Sequence, residues 1–145
     1  MAKVSEMMTK SVETCSLLDN VYEVAIKMKE WNVGAVPIVD DEKIVGMITD
    51  RDIVLRCIAE KHPASSKVQE IMSKDLIKVA PTATTKEAIQ LMAKHQIRRL
   101  PVVEHNKLVG IVSLGDFAVS ELTDDQAKMA LSEISEQGGS QIQHH

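Results

Sequence analysis

The sequence predicts a mixed α+β (α/β) fold made of two copies of one β-α-β-β-α unit. Three observations predict it. The 145-residue chain matches itself without a gap when shifted by 64 positions. Each copy carries an amphipathic stretch with a helix-start signal, followed by two β-rich runs. Each copy then places a hydroxyl and a carboxylate three residues apart, where a strand gives way to a helix.

The repeat sets the architecture. Val4 falls on Val68, Glu6 on Glu70, Met8 on Met72 and Lys10 on Lys74. Glu23 falls on Glu87, Met28 on Met92, Pro37 on Pro101 and Val39 on Val103. Lys43, Val45, Gly46 and Asp52 meet Lys107, Val109, Gly110 and Asp116. The repeats span 1–64 and 65–123, with 124–145 as a separate tail. A half this size buries too little surface to be stable alone, so the two are expected to pack on each other.

Each copy opens on a short extended segment, Val12 to Cys15 and Leu76 to Val79. A helix follows. Thr84 and Glu87 form a capping box ahead of Ala88, Leu91 and Met92, and Asn20 and Glu23 hold the same places ahead of Val24, Ala25 and Met28. The β-rich runs Ala35 to Val39 and Lys43 to Thr49 are joined by the short polar link Asp40-Asp41-Glu42, which suits a hairpin. Glu104-His105-Asn106 does the same in the second copy. Pro37 and Pro101 are expected at the start of their strands, where a missing N–H is tolerated. A second helix begins near Asp52 and Asp116. The polar stretch 61–67 reads as the link between copies, and Asp124 to Glu136 as one more amphipathic helix, with Ala127, Ala130, Leu131 and Ile134 on one side.

Composition narrows the function. Aromatic residues are only 2% of the chain, so the core is aliphatic and offers no platform for base stacking. The net charge of −4 gives no general attraction for nucleic acid. No apolar run approaches a membrane span, and Met1 to Lys10 lacks the apolar stretch of a signal peptide, so a cytoplasmic protein without membrane association is expected. Cys15 and Cys57 show no CxxC spacing and are expected as reduced thiols. His62, His95 and His105 are scattered, without metal-ligand spacing, and no catalytic set stands out, so the chain is expected not to be an enzyme.

The residues that could carry chemistry are Thr49 with Asp52 and Ser113 with Asp116. Two readings compete. As helix caps, the hydroxyl and carboxylate serve stability alone. As a binding site, the hydroxyl lies near a phosphate and the carboxylate, an acceptor only, takes hydrogen bonds from sugar hydroxyls. Arg98 and Arg99 precede a strand of the second copy, and a guanidinium fork suits phosphate. The first copy has Gly34 and Ala35 there.

These residues together resemble a pair of cystathionine-β-synthase (CBS) domains, a Bateman module. The resemblance runs through residues 4–122 and rests on Asn32 to Val39, Gln96 to Val103, Val45 to Asp52 and Val109 to Asp116. It implies two repeats packed through their sheets about a pseudo-twofold axis, with two clefts for an adenosyl ligand: AMP, ADP or ATP, or else S-adenosylmethionine or NAD(H). It implies ribose on Asp52 and Asp116, phosphate near Thr49, Ser113, Arg98 and Arg99, and adenine flanked by Lys10-Ser11-Val12 and Lys74-Asp75-Leu76. Arg51, beside Asp52, partly compensates for the basic pair the first copy lacks, so unequal sites are expected. The resemblance further implies a homodimer and a separate regulated partner. A ligand-free adaptor of the same fold is the alternative.

Overall fold

The two stretches with capping boxes form the long helices of the structure, a computed structural model that describes residues 2–118. In chain order the elements are α1 (Val4–Met7), β1 (Cys15–Ser16), α2 (Val21–Trp31), β2 (Ala35–Asp40) and β3 (Lys43–Thr49). Next come α3 (Asp50–Asp52), which continues as a π-helical segment (Ile53–Ile58), and α4 (Val68–Ile71). The chain then runs through α5 (Thr85–His95), β4 (Arg99–Glu104), β5 (Lys107–Ser113) and α6 (Leu114–Ala118). The expected helix over Asp124 to Glu136 lies outside the described residues.

Local chemistry sets the boundaries of α2. Asn20 accepts from the Glu23 amide at 2.8 Å, while Glu23 returns a carboxylate to the Asn20 amide at 3.0 Å. The helix stops at Asn32 in the left-handed conformation, a residue type that tolerates it. α5 keeps half of this design. Thr84 accepts from the Glu87 amide at 3.1 Å, but the Glu87 carboxylate accepts from the Thr84 hydroxyl at 3.2 Å and not from its amide, so the expected reciprocal box is incomplete. Gln96 is left-handed at the C-cap. Both hairpins turn on two residues with positive φ, Asp41-Glu42 and His105-Asn106. Two left-handed residues in succession match the twist of the strands they join.

The chain forms two compact units that cut across the sequence repeats. Among the described residues, one unit comprises 2–12 and 77–118, the other Glu13–Leu76. The chain thus passes from the first to the second after Val12 and returns after Leu76. In the Glu13–Leu76 unit, β2 and β3 are antiparallel and β1 adds to β2 in parallel. Its core gathers Val24, Val36, Ile38 and Ile48 from the first repeat with Val68, Ile71 and Met72 from the second. In the other unit, β4 and β5 are antiparallel, and Val79 makes a single parallel bridge to Val102. Its core adds Val4 to Met92, Leu100, Val102, Val112 and Phe117.

Five features depart from the sequence reading. The opening strands shrink to two residues and to one bridge. Val79 donates to Pro101 O and receives from the Val103 amide, but Pro101 has no N–H with which to extend this ladder backward. Pro37 and Pro101 are accordingly the third residues of β2 and β4, and both are buried. The short helices α1 and α4 were not expected. Four residues cannot nucleate a helix alone, and these are held by burial of Val4, Val68 and Ile71. The stretch 61–67 is more than a link. Its Ala64 and Ser66 carbonyls accept from the Tyr22 and Val21 amides, satisfying first-turn donors of α2. Finally, the helix after β3 is π-helical, with the Ala59 amide reaching back to Val54 O.

Cys15 and Cys57 are buried free thiols. Burial pushes the Cys15 thiol up to about 11, so it stays protonated at neutral pH and packs as a small apolar side chain.

The repeat also exposes one imperfection. Thr85, at the first turn of α5, is fully buried and its hydroxyl has no hydrogen-bond partner among the described residues. Val21 holds the matching place in α2 and is equally enclosed. Thr85→Val removes a buried hydroxyl while keeping the shape, and is expected to stabilise the protein by about 1–2 kcal/mol, read as a rise in urea midpoint. A lower midpoint would mean that the hydroxyl is satisfied in solution.

Candidate functional site

Each unit carries the same turn from strand into helix. In the Glu13–Leu76 unit, the Thr49 amide donates to Asp52 Oδ2 at 3.0 Å and the Asp52 amide donates to Thr49 Oγ1 at 3.0 Å. In the other unit, the Ser113 amide donates to Asp116 Oδ2 at 2.9 Å and the Asp116 amide donates to Ser113 Oγ at 3.2 Å. These are complete reciprocal boxes with aspartate in the place usually held by glutamate or glutamine.

Capping and ligand binding can therefore coexist. A carboxylate has two oxygens and about four lone-pair sites, and the cap engages only Oδ2. In the first box, Asp52 Oδ1 lies 3.9 Å from Arg56 Nε. Arg56 also donates to the carbonyls of Ile71 and Met72, at 3.4 and 3.3 Å, and so ties the box to the end of α4. For Asp116, no hydrogen bond beyond the cap is found among the described residues.

The strand register sets what surrounds each box. Arg99 stands directly opposite Ser113 across the β4–β5 pair, where the other unit pairs Ala35 with Thr49. The Leu114 amide donates to Arg98 O at 2.8 Å, matched by Asp50 to Gly34 O at 2.9 Å. Arg99 is exposed and Arg98 only partly so. Arg98 Nη2 is buried and has no hydrogen-bond partner among the described residues, and an unpaired buried donor of a charged group costs more than a neutral one.

The segments expected to flank adenine sit in exchanged places. Thr9 exchanges two backbone hydrogen bonds with Ile111, at 2.8 and 2.9 Å, and Lys10, Ser11 and Val12 follow directly. They share a unit with Ser113, Asp116, Arg98 and Arg99. Ser73 pairs likewise with Met47, so Lys74, Asp75 and Leu76 share a unit with Thr49, Arg51 and Asp52. Lys10, Ser11, Lys74, Asp75 and Arg51 are exposed, while Val12 and Leu76 are half-buried. Both segments end where the chain crosses between units.

Two further residues escaped the sequence reading as parts of this site. Arg56 is one. Asp50 is the other in its actual place: its Oδ2 lies 3.0 Å from where a Cβ on Gly34 would stand. Aligning the repeats pairs Asp50 with Leu114, a signal that was available. No group of three or more His, Cys, Asp or Glu side chains fit to hold a metal ion occurs among the described residues. Among them, no helix is long and apolar enough to cross a membrane.

Comparison with known proteins decides the family. The CBS domain family matches residues 4–58 and again 68–120. The chain belongs to the CBS-domain family, as a tandem pair. It is 50% identical over 138 residues to the uncharacterized protein YlbB of Bacillus subtilis, covering 94% of this chain and 93% of that protein. Hypoxic Response Protein I, whose crystal structure carries two coordinated zinc ions, is 32% identical with a TM-score of 0.76, over 81% of this chain and 98% of that one. The CBS domain pair of protein MJ0100, solved in complex with 5′-methylthioadenosine and S-adenosyl-L-methionine, is 27% identical with a TM-score of 0.73, over 87% and 98%.

The cap and the spare oxygen can be separated by mutation. Asp116→Ala removes a charge-assisted hydrogen bond to the Ser113 amide and is expected to cost about 1–2 kcal/mol. Asp116→Asn keeps an acceptor for that amide, so most of the loss should be recovered in equilibrium unfolding. Equal destabilisation by both would show that the cap needs the charge itself.

Proposed function

We propose that this CBS pair is a non-catalytic sensor that binds an adenine nucleotide, AMP, ADP or ATP, and regulates a separate partner or its own assembly. The observation that carries this reading is the buried Arg98 Nη2, which has no hydrogen-bond partner among the described residues, in the unit that holds Ser113, Asp116 and Arg99. A phosphate supplies the acceptor that this donor lacks, and two guanidiniums suit its geometry. Asp116 Oδ1 takes the ribose hydroxyls while Oδ2 keeps the cap. Lys10, Ser11 and Val12 flank the base. Thr49, Arg51 and Asp52, with Lys74, Asp75 and Leu76, form the second and weaker site. The ligand regulates by favouring one of two states through its differential affinity. The adenosyl compounds bound by the MJ0100 pair support the ligand class and keep an S-adenosylmethionine sensor as the second reading.

A melting-temperature screen tests it. AMP at 100 times its Kd adds about 2.7 kcal/mol, which is a shift of several degrees for a chain of this size. Arg98→Ala and Asp116→Asn are each expected to reduce the AMP shift by more than half. A shift that survives both unchanged places the nucleotide elsewhere. S-adenosylmethionine shifting the protein more than AMP favours the second reading, and no shift with any adenosyl compound favours a ligand-free adaptor.

Self-assembly is the other part of the proposal. Leu18, just before α2, and Tyr22 and Ile26 on it are exposed, at 92%, 58% and 36%. The second repeat holds Thr82, Lys86 and Gln90 at these positions, so the fold does not require apolar residues there. Val54, Leu55 and Ile58 on the π-helical segment are exposed as well. Such apolar exposure fits a homodimer formed through the first repeat's helices. The double variant Tyr22→Lys/Ile26→Gln, which copies the second repeat, is expected to sediment as a folded monomer whose melting temperature no longer depends on protein concentration. A dimer that persists would remove this face from the interface.

A further inference from the structure

The two boxes share one backbone and differ in charge. The amide-to-carbonyl link from Asp50 to Gly34 repeats that from Leu114 to Arg98 within 0.1 Å, at 2.9 against 2.8 Å. The side chains on those positions are inverted. In one unit an arginine stands at 98 and a buried, uncharged leucine at 114. In the other, position 34 has no side chain, and the Asp50 carboxylate comes within 3.0 Å of the point from which one would leave. Asp50 is held there in part by the Arg51 amide, which donates to its Oδ1 at 2.8 Å. Around the first box the charged residues are two carboxylates, Asp50 and Asp52, and two exposed guanidiniums, Arg51 and Arg56, the latter 3.9 Å from Asp52 Oδ1. Around the second they are two guanidiniums and one carboxylate, Arg98, Arg99 and Asp116.

We infer that positions 34/98 and 50/114 form a charge filter, so that the two boxes take adenosyl ligands of different class. The Ser113–Asp116 box takes a phosphorylated nucleotide. The Thr49–Asp52 box takes a nucleoside whose 5′ substituent carries no phosphate and is neutral or cationic. A 5′-phosphate there meets the Asp50 carboxylate where the other unit offers Arg98, and like charges repel. Arg56 offsets this only in part, because it is already engaged with Asp52 and with the Ile71 and Met72 carbonyls. The inference rests on the reading above that each box holds a ribose.

The full-length chain tests it by titration calorimetry with AMP and with 5′-methylthioadenosine, a nucleoside without phosphate. The expected result is one AMP per chain, with 5′-methylthioadenosine still binding one further site when AMP is saturating. The double variant Gly34→Arg/Asp50→Leu transplants the pair found at 98 and 114. Gly34 is not in the left-handed region, so arginine can adopt its backbone, and removing Asp50 clears the space for its Cβ. This variant is expected to bind a second AMP and to hold 5′-methylthioadenosine at least tenfold more weakly. Should it fail to fold, Asp50→Asn alone is expected to raise AMP affinity at the second site about tenfold, or 1.4 kcal/mol. Two AMP sites of equal affinity in the unaltered chain overturn the filter but leave nucleotide sensing intact. A folded double variant that still binds a single AMP overturns it too. Binding of neither compound overturns the filter together with the reading beneath it.

Discussion

Gly46 and Gly110 bring two backbones into closer contact than any other residue would allow. A Cβ on Gly46 would stand 2.7 Å from Ser73 O, and one on Gly110 would stand 3.0 Å from Thr9 O and closer still to the Met8 side chain. In this narrow approach the segments before Lys74 and Lys10 pair with β3 and β5. Once seated, they lower Val68, Ile71 and Met72 into one core and Val4 into the other. Neither sequence repeat holds a complete core by itself. The exchange of segments is therefore a condition of stability and not an embellishment of topology.

The same seating brings the candidate site together. It sets Lys10, Ser11 and Val12 in the unit of Ser113 and Asp116, although they lie about a hundred residues apart in the chain. The boxes in turn fix the aspartates. Because Oδ2 is committed to a backbone amide, the carboxylate is oriented before any ligand arrives, and little rotamer freedom is left to lose on binding. In the proposed reading, stability and recognition draw on different oxygens of one group, so that a capping residue also serves a ligand.

Much of this was legible in the sequence because it depends on spacing. The helices α2 and α5 were marked by Asn20 with Glu23 and by Thr84 with Glu87. The hairpins were marked by short polar links between apolar runs, and the boxes by a hydroxyl and a carboxylate three residues apart. What escaped depends on tertiary contact. The helices α1 and α4 exist because Val4 and Val68 are buried, and no local propensity over four residues reveals that. The carbonyls of Ala64 and Ser66 cap α2 from a distance in sequence, so 61–67 looked like a bare link. The exchange itself was invisible, since repeats in register do not say which copy's segment completes which core. At the site, the pair Arg98-Arg99 was legible as basic. That one of the two has a buried nitrogen without a partner among the described residues, while the other lies exposed opposite Ser113, follows only from register and packing.

The exchanged segments also bear on how such a chain could have arisen. A lone repeat would carry one segment to give and one core to complete, and its only source of the missing piece would be a twin molecule. Such a pair, bound by symmetry, has to place identical residues in both of its sites. Joining the copies end to end makes the exchange intramolecular and independent of concentration. It also releases the two halves from sameness. Only after that joining can one copy carry an arginine where the other carries a glycine, and one ancestral pocket become two that are free to differ.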